Sequence, residues 1–153
     1  MPRTTADHGV GYFARLAAER PDIALCRAAA AVARIGEARA NASGIGVGQH
    51  LVLKMLAEAG PSSQRALSDQ LRIDRSVMVG ICDALEGAGH VRRERDPADR
   101  RAYAVSITDS GRRLLARAEG EVPGYLDATF APLSTAERDQ LTALLGKVLG
   151  LTP

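Results

Sequence analysis

Residues 74–111 read DRSVMVGICDALEGAGHVRRERDPADRRAYAVSITDSG. Asp74 suits the cap of a helix, and Gly87 with Gly89 bracket the place where that helix ends. Between them Met78, Ile81, Cys82 and Leu85 recur at the spacing of one buried helical face. The opposite side carries Arg75, Ser76, Val79, Gly80 and Asp83, and its bulk is small around Val79 and Gly80. Two short strand-like runs follow, at 91–95 and 102–107, with the polar turn Asp96-Pro97-Ala98-Asp99-Arg100-Arg101 between them. Thr108 or Asp109 then caps a long helix.

Immediately upstream, Gly60-Pro61 is a stop-and-start signal, and Ser62 or Ser63 can cap a helix reaching about Leu71. A tight turn at Arg72-Ile73 joins it to the helix at Asp74. Residues 62–107 therefore read as a helix-turn-helix followed by a β-hairpin wing. Residues 49–59 form a preceding helix with Leu51, Val52, Met55 and Leu56 inward, after a Gly- and Ser-bearing connection at 41–48. Further out lies a long Ala-rich helix, 22–40, in which Ile23, Cys26, Ala30 and Ala33 recur at helical spacing. Pro21 separates it from a short amphipathic helix, 8–19, with Tyr12, Phe13 and Leu16 near one face. Downstream, the helix from Thr108 runs to about Phe130 with a bend expected near Pro123. Ser134-Thr135-Ala136-Glu137 is a capping box that opens a last helix to about Leu149, with Leu141, Leu144, Leu145 and Val148 on its apolar side.

The expected class is mainly α with a small β-hairpin wing. A winged helix-turn-helix, 49–107, is flanked by N-terminal helices, 8–48, and C-terminal helices, 108–150. The middle module has a core of its own, whereas the outer helices carry apolar stripes that need a partner. Composition agrees. Of 153 residues 46% are hydrophobic but only 3% aromatic, with no Trp, so the core is built from Leu, Val, Ile and Ala. Small side chains fill volume poorly, which points to apolar surface covered by a second subunit, a homodimer.

The net charge of +2 is no signal for nucleic acid by itself; the distribution matters more. Apart from Lys54 and Lys147, every basic residue is an arginine, the better side chain for bidentate contact with phosphate or guanine. Five of them, Arg92, Arg93, Arg95, Arg100 and Arg101, crowd the hairpin. A hairpin tipped with arginines suits a minor groove, where narrow A·T tracts attract guanidinium. Asp99 is unusual in such a loop, and a carboxylate there fits the orienting of a neighbouring Arg by a charge-assisted bond. On the helix at Asp74, Arg75 and Ser76 lie at the end that meets base edges, and Val77 and Val79 suit contact with thymine methyls. The same pattern also fits a solvated helix face beside a salt-bridged surface hairpin, so the residues alone leave both open.

Ile73-Asp74-Arg75-Ser76, Asp83-Ala84-Leu85-Glu86, Gly89-His90-Val91, the 96–103 wing and Ile107-Thr108-Asp109-Ser110-Gly111 together resemble the multiple-antibiotic-resistance regulator (MarR) family. The sharp motifs lie in 62–111. The resemblance implies a winged-helix dimer whose terminal helices form the subunit interface. It implies that Asp99 orients Arg101 into the minor groove with Arg100 near the backbone, and that Arg75, Ser76, Val77 and Val79 face the major groove. It also implies a double-stranded DNA partner with a pseudo-palindromic site, repression as the default, and a small effector, aromatic or phenolic. The DNA-facing set is then Ser62, Arg75, Ser76, Val77, Val79, Arg92, Arg93, Arg95, Asp99, Arg100 and Arg101. Tyr12, Phe13, Arg27, His50 and Lys54 are candidates for an effector cleft.

Two alternatives stand beside a ligand-responsive repressor. One is a thiol switch at Cys26, whose place early in the long helix resembles the peroxide-sensing branch. That branch surrounds the thiol with tyrosines, and none occurs here between Tyr12 and Tyr103; Arg27 and His50 are the candidate activating neighbours. Otherwise Cys26 is a small buried apolar residue. The other alternative is a winged helix used for protein assembly. Cys82 falls on a core face. His8, His50 and His90 with the two cysteines match no metal-ligand spacing. No phosphate loop, nucleophile elbow or zinc-protease helix is present, so neither an enzyme nor a cofactor is expected. The opening residues show no signal-peptide pattern and no apolar run is long enough for a bilayer, so a cytoplasmic protein without membrane contact is expected.

Overall fold

A computed structural model describes residues 10–96 and 103–151. The chain runs α1 (Val10–Glu19), α2 (Pro21–Ser43), α3 (Val47–Ala59), β1 (Ser62–Ser63), α4 (Gln64–Leu71), α5 (Arg75–Gly87), β2 (Val91–Arg95), β3 (Tyr103–Ile107), α6 (Asp109–Thr129) and α7 (Thr135–Val148). This is the expected mainly helical, winged architecture. The antiparallel sheet has the order β1-β3-β2, with Val91 opposite Ile107, Arg93 opposite Val105 and Arg95 opposite Tyr103. The expected second strand began at Ala102, which lies outside the described residues.

Local chemistry sets most of the boundaries. Pro21 starts α2, where a missing N–H costs nothing. The helix ends on Gly44, whose φ of 74° is left-handed and whose N–H reaches the Ala40 carbonyl at 2.8 Å. Gly46 then opens α3, its N–H donating to Gln49 Oε1 at 3.1 Å. The break between these helices is therefore much shorter than the 41–48 connection expected. Ser63, not Ser62, caps α4, accepting the Ala66 N–H at 3.1 Å. Asp74 occupies the N-cap of α5 but accepts no capping bond there; its backbone carbonyl takes the Met78 N–H at 2.9 Å. Ser134 and Glu137 close their capping box at α7.

The core lies in the middle of the chain. Val52, Leu53 and Leu56 of α3 pack with Leu67 of α4, Met78, Cys82 and Leu85 of α5, Val91 and Val105 of the sheet, and Leu114, Leu115 and Ala118 of α6. Leu53, expected nowhere in the core, is 0% exposed, and Leu51, expected inward, is exposed. The reason is that α3 is enclosed by α4, α5, α6 and β3 rather than covered along one stripe. Ile81 is half-buried at the edge of the α5 stripe.

The junction from β3 into α6 explains the spacing of Thr108 and Gly111. Thr108 donates its N–H to the His90 carbonyl at 3.0 Å and its hydroxyl to the Gly89 carbonyl at 2.7 Å. The same hydroxyl oxygen accepts the Gly111 N–H at 3.1 Å, capping α6. A Cβ on Gly111 would stand 2.1 Å from the His90 carbonyl oxygen, so only glycine fits. The helix then continues through Pro123 to Thr129 as one element.

The outer helices are different. Residues 26, 30 and 33 of α2, expected to share a packed face, are exposed, and Ile23 is half-buried. Tyr12 and Phe13 of α1 are exposed. No residue of α7 is buried, and Leu144 and Val148 are 51% and 70% exposed. Among the described residues no helix is long and apolar enough to cross a membrane.

Candidate nucleic-acid interface

The α4–α5 turn is built tightly. Arg72 adopts φ 53°, a left-handed conformation uncommon outside glycine. It is held by Ser68, a buried residue whose hydroxyl donates to the Ile73 carbonyl at 2.5 Å and whose own carbonyl accepts the Ile73 N–H at 3.1 Å. That turn fixes α5 across α4 with Met78, Cys82 and Leu85 inward. Arg75, Ser76, Val77, Val79, Gly80 and Asp83 are all left exposed. Val77 lies toward α3, in a shallow apolar depression with Val47, Ile73 and Gly80, whereas Val79 does not line it. Burial pushes the Cys82 thiol up, which suits a packing role and not a reactive one.

The basic residues of the wing do not share one environment. Arg92 pairs with Glu94 at 2.9 Å on an exposed surface. Arg95 lies over the Tyr103 ring, 5.6 Å from its centroid. Arg93 points back onto α5 and binds both Asp83 and Glu86. Ser62, in β1, donates its hydroxyl to the Gly60 carbonyl at 3.1 Å and pairs with Val105 of β3. Asp99, Arg100 and Arg101 lie outside the described residues.

The candidate effector residues separate into two places. His50 and Lys54, one turn apart on α3, line a cleft of about 410 Å³ between α2, α3 and α6. Phe13 and Arg27 line a different depression of about 400 Å³ on α1 and α2, with Cys26 beside them. Tyr12 lines neither. Cys26 is exposed, which removes the expectation of a buried packing residue, and of its two candidate activating neighbours only Arg27 shares its depression.

The α2–α3–α6 cleft contains three residues that the sequence did not single out: Arg39, Glu119 and Tyr125. The Glu119 carboxylate bridges His50 Nε2, which must carry the donated proton, and Lys54 Nζ at 3.2 Å. The hydrogen bond from His50 holds the Glu119 carboxyl below its ordinary value against the opposing effect of burial, and Lys54 adds to it. Glu58 and Glu119 together raise the Lys54 ammonium. Arg39 donates Nη2 to the Ala118 carbonyl at 2.8 Å and stacks over Tyr125, 5.2 Å from its centroid. Its Nε is buried without a partner among the described residues. The legible signal was Glu119 itself, a charge set among the apolar positions Leu115, Ala118 and Val122 of one helix face. Among the described residues no group of three or more His, Cys, Asp or Glu is placed to hold a metal.

Comparison with known proteins converges on one family. The sequence profile described as MarR family matches residues 43–102. The transcriptional repressor NicR of Pseudomonas putida is 31% identical over 101 residues, which is 66% of this chain and 64% of NicR, so the chain spans less than two thirds of that relative's length. The transcriptional repressor CouR, solved on a 23-mer DNA duplex, superposes with a TM-score of 0.78 at 32% identity over 86% of this chain and 94% of CouR. BpsR of Bordetella bronchiseptica, solved to explain regulation of its DNA binding by 6-hydroxynicotinic acid, aligns with a TM-score of 0.75 at 26% identity over 97% of both chains. With that profile covering the helix-turn-helix and that fold shared from end to end, the chain belongs to the MarR family of transcriptional regulators.

Proposed function

We propose that this chain is a sequence-specific DNA-binding repressor that acts as a homodimer and is released by a small aromatic or phenolic ligand. The observation that carries the DNA reading is the orientation of α5. Its apolar face is locked into the core while Arg75, Ser76 and Val79 stand exposed. In a dimer two such helices enter successive major grooves of a pseudo-palindrome about one turn apart. Arg75, Ser76, Val77 and Val79 read base edges. Ser62, Arg92, Arg95 and Arg100 lie along the backbone, and Asp99 holds Arg101 for the minor groove. Contacts to phosphate supply most of the affinity and make it salt-dependent.

The ligand reading rests on the α2–α3–α6 cleft. It offers the apolar walls Val47, Val122 and Leu126 with the imidazole of His50, the cations Lys54 and Arg39 and the ring of Tyr125, a set suited to a flat molecule bearing an acidic group. DNA binding by BpsR is regulated by 6-hydroxynicotinic acid, and a CouR from Rhodococcus jostii RHA1 was solved bound to p-coumaroyl-CoA. A ligand that favours a different spacing of the two recognition helices weakens DNA binding by shifting the dimer population. Tyr12, Phe13 and Arg27 belong to the α1–α2 surface and, within one protomer, stand apart from this cleft.

Enrichment from random duplexes tests the DNA reading, and Arg75→Ala should then weaken binding to the selected site by roughly 1–3 kcal/mol. A protein that enriches no sequence, or an Arg75→Ala variant that binds unchanged, refutes it.

A further inference from the structure

Arg93 is tied to the recognition helix rather than left open on the wing. Its side chain is 23% exposed, and three bonds tie it to one face of α5. The backbone N–H donates to Glu86 Oε1 at 3.0 Å, the guanidinium donates to the other Glu86 oxygen, and Nη2 donates to Asp83 Oδ1 at 2.5 Å. Asp83 and Glu86 are three residues apart and so sit on the same side of the helix. Burial works against the Arg93 charge, and the two carboxylates outweigh it, raising the guanidinium above its ordinary value.

The placement has an electrostatic meaning. Asp83 is exposed on the flank of the helix that carries Arg75, Ser76 and Val79. A carboxylate carried toward a duplex meets a line of negative charge, one unit per about 1.7 Å of axis with both strands counted. Asp83 and Glu86 together would repel that line, and the only cation on both is Arg93, among the described residues. The clamp also has a mechanical meaning. It joins the third residue of β2, paired with Val105 of β3, to the last turns of α5. The angle between wing and helix is fixed through these bonds.

We infer that Arg93 is a positioning residue and not a phosphate contact: it fastens the wing to the recognition helix and neutralises carboxylates that the helix would otherwise carry to DNA. This inference rests on the DNA reading above. It assigns Arg93 a different role from Arg92 and Arg95, although the three are close in sequence and alike in charge.

The test is a double-mutant cycle on the full chain, using the duplex selected by the wild type, below the melting range of every variant. Arg93→Ala should weaken binding on the order of tenfold or more, the cost of uncovering charge at an interface. Adding Asp83→Asn and Glu86→Gln together should restore affinity to within about threefold of that carboxylate pair changed alone, the mark of coupled neighbours. Hydroxyl-radical protection should vanish in the flanking minor groove and persist in the central major groove, a split that lower stability alone does not produce. The slope of log K against log salt should not become shallower in Arg93→Ala, whereas loss of a phosphate contact would reduce it by about 0.9. Additive losses, a shallower slope or unchanged binding overturn the role and leave the DNA reading intact. A wild type that enriches no duplex overturns both. Should Arg93→Ala fail to fold, Asp83→Asn with Glu86→Gln frees Arg93 instead. The clamp then loses wing protection despite added positive charge, while a phosphate-binding Arg93 binds more tightly with full protection.

Discussion

The middle of this chain and its outer helices are made from similar residues and end in opposite states. In the winged module the central apolar side chains are enclosed: Leu53, Leu56, Leu67, Met78 and Leu85 have essentially no contact with water. In α1, α2 and α7 the apolar side chains lie open, from Tyr12 and Phe13 through Leu25 and Ile35 to Leu144 and Val148. The difference is one of enclosure and not of hydrophobicity. Helix α3 packs against five elements of its own protomer, whereas no residue of α7 is buried. An apolar stripe is only half of an interaction. The module supplies both halves, and the outer helices supply one, an arrangement that the proposed second subunit would complete.

The comparison breaks most sharply at Leu53. Leu53→Ala should destabilise the protomer by roughly 2–5 kcal/mol, because the surrounding elements cannot collapse into the cavity. Chemical denaturation measures it, and a loss under about 1 kcal/mol would mean that the module is less tightly packed than its burial implies. Leu144→Ser with Val148→Ser sharpens the other side. Exposed as they are, these changes should leave protomer secondary structure and module packing intact within about 0.5 kcal/mol. They should nevertheless shift sedimentation from dimer to monomer. A dimer that persists at the same concentration would place the subunit contact elsewhere.

The smallest effect lies where the two regions meet, at Glu119 of α6 against His50 and Lys54 of α3. The Glu119 carboxyl is held below its ordinary value when folded, so its stabilisation is fully present above the unfolded value of about 4.3 and is lost as pH falls through the lower folded value. Glu119 is more than a third exposed, so screening keeps the contribution small. Glu119→Gln should lower the melting midpoint at pH 7 by roughly 1–3 °C and bring it level with the wild type in acid. An equal difference at both pH values would assign the effect to packing.

Features set by a few adjacent residues were legible in the sequence. The caps at Thr108 and Ser134, the buried face of α5 and the Gly-rich end of that helix each follow from local rules. Features set by distant neighbours were not. Ser62-Ser63 has no alternation, and it becomes a strand only because β3 lies beside it. Leu53 is hidden by helices that a single stripe does not foretell. Arg93 looks like its neighbours until α5 is folded against it, and Arg39 reaches the Ala118 carbonyl, 79 residues away in the chain, only through the α2–α3–α6 packing. His50 and Lys54 were named from the order of the elements alone, and both line the α2–α3–α6 cleft, whereas Arg39 and Glu119 were not named.

The junction at Gly111 gives α6 the character of a lever. The Thr108 bonds and the close approach to His90 leave no slack between the end of α5 and the start of α6. From that pivot the helix extends 21 residues, a rod of about 31 Å at 1.5 Å per residue. A tilt of about 10° at the pivot moves the far end about 5 Å, close to the 5.4 Å pitch of a helix. Small rotations at the reading head and whole-turn displacements among the outer helices are therefore the same motion seen from the two ends of one rod.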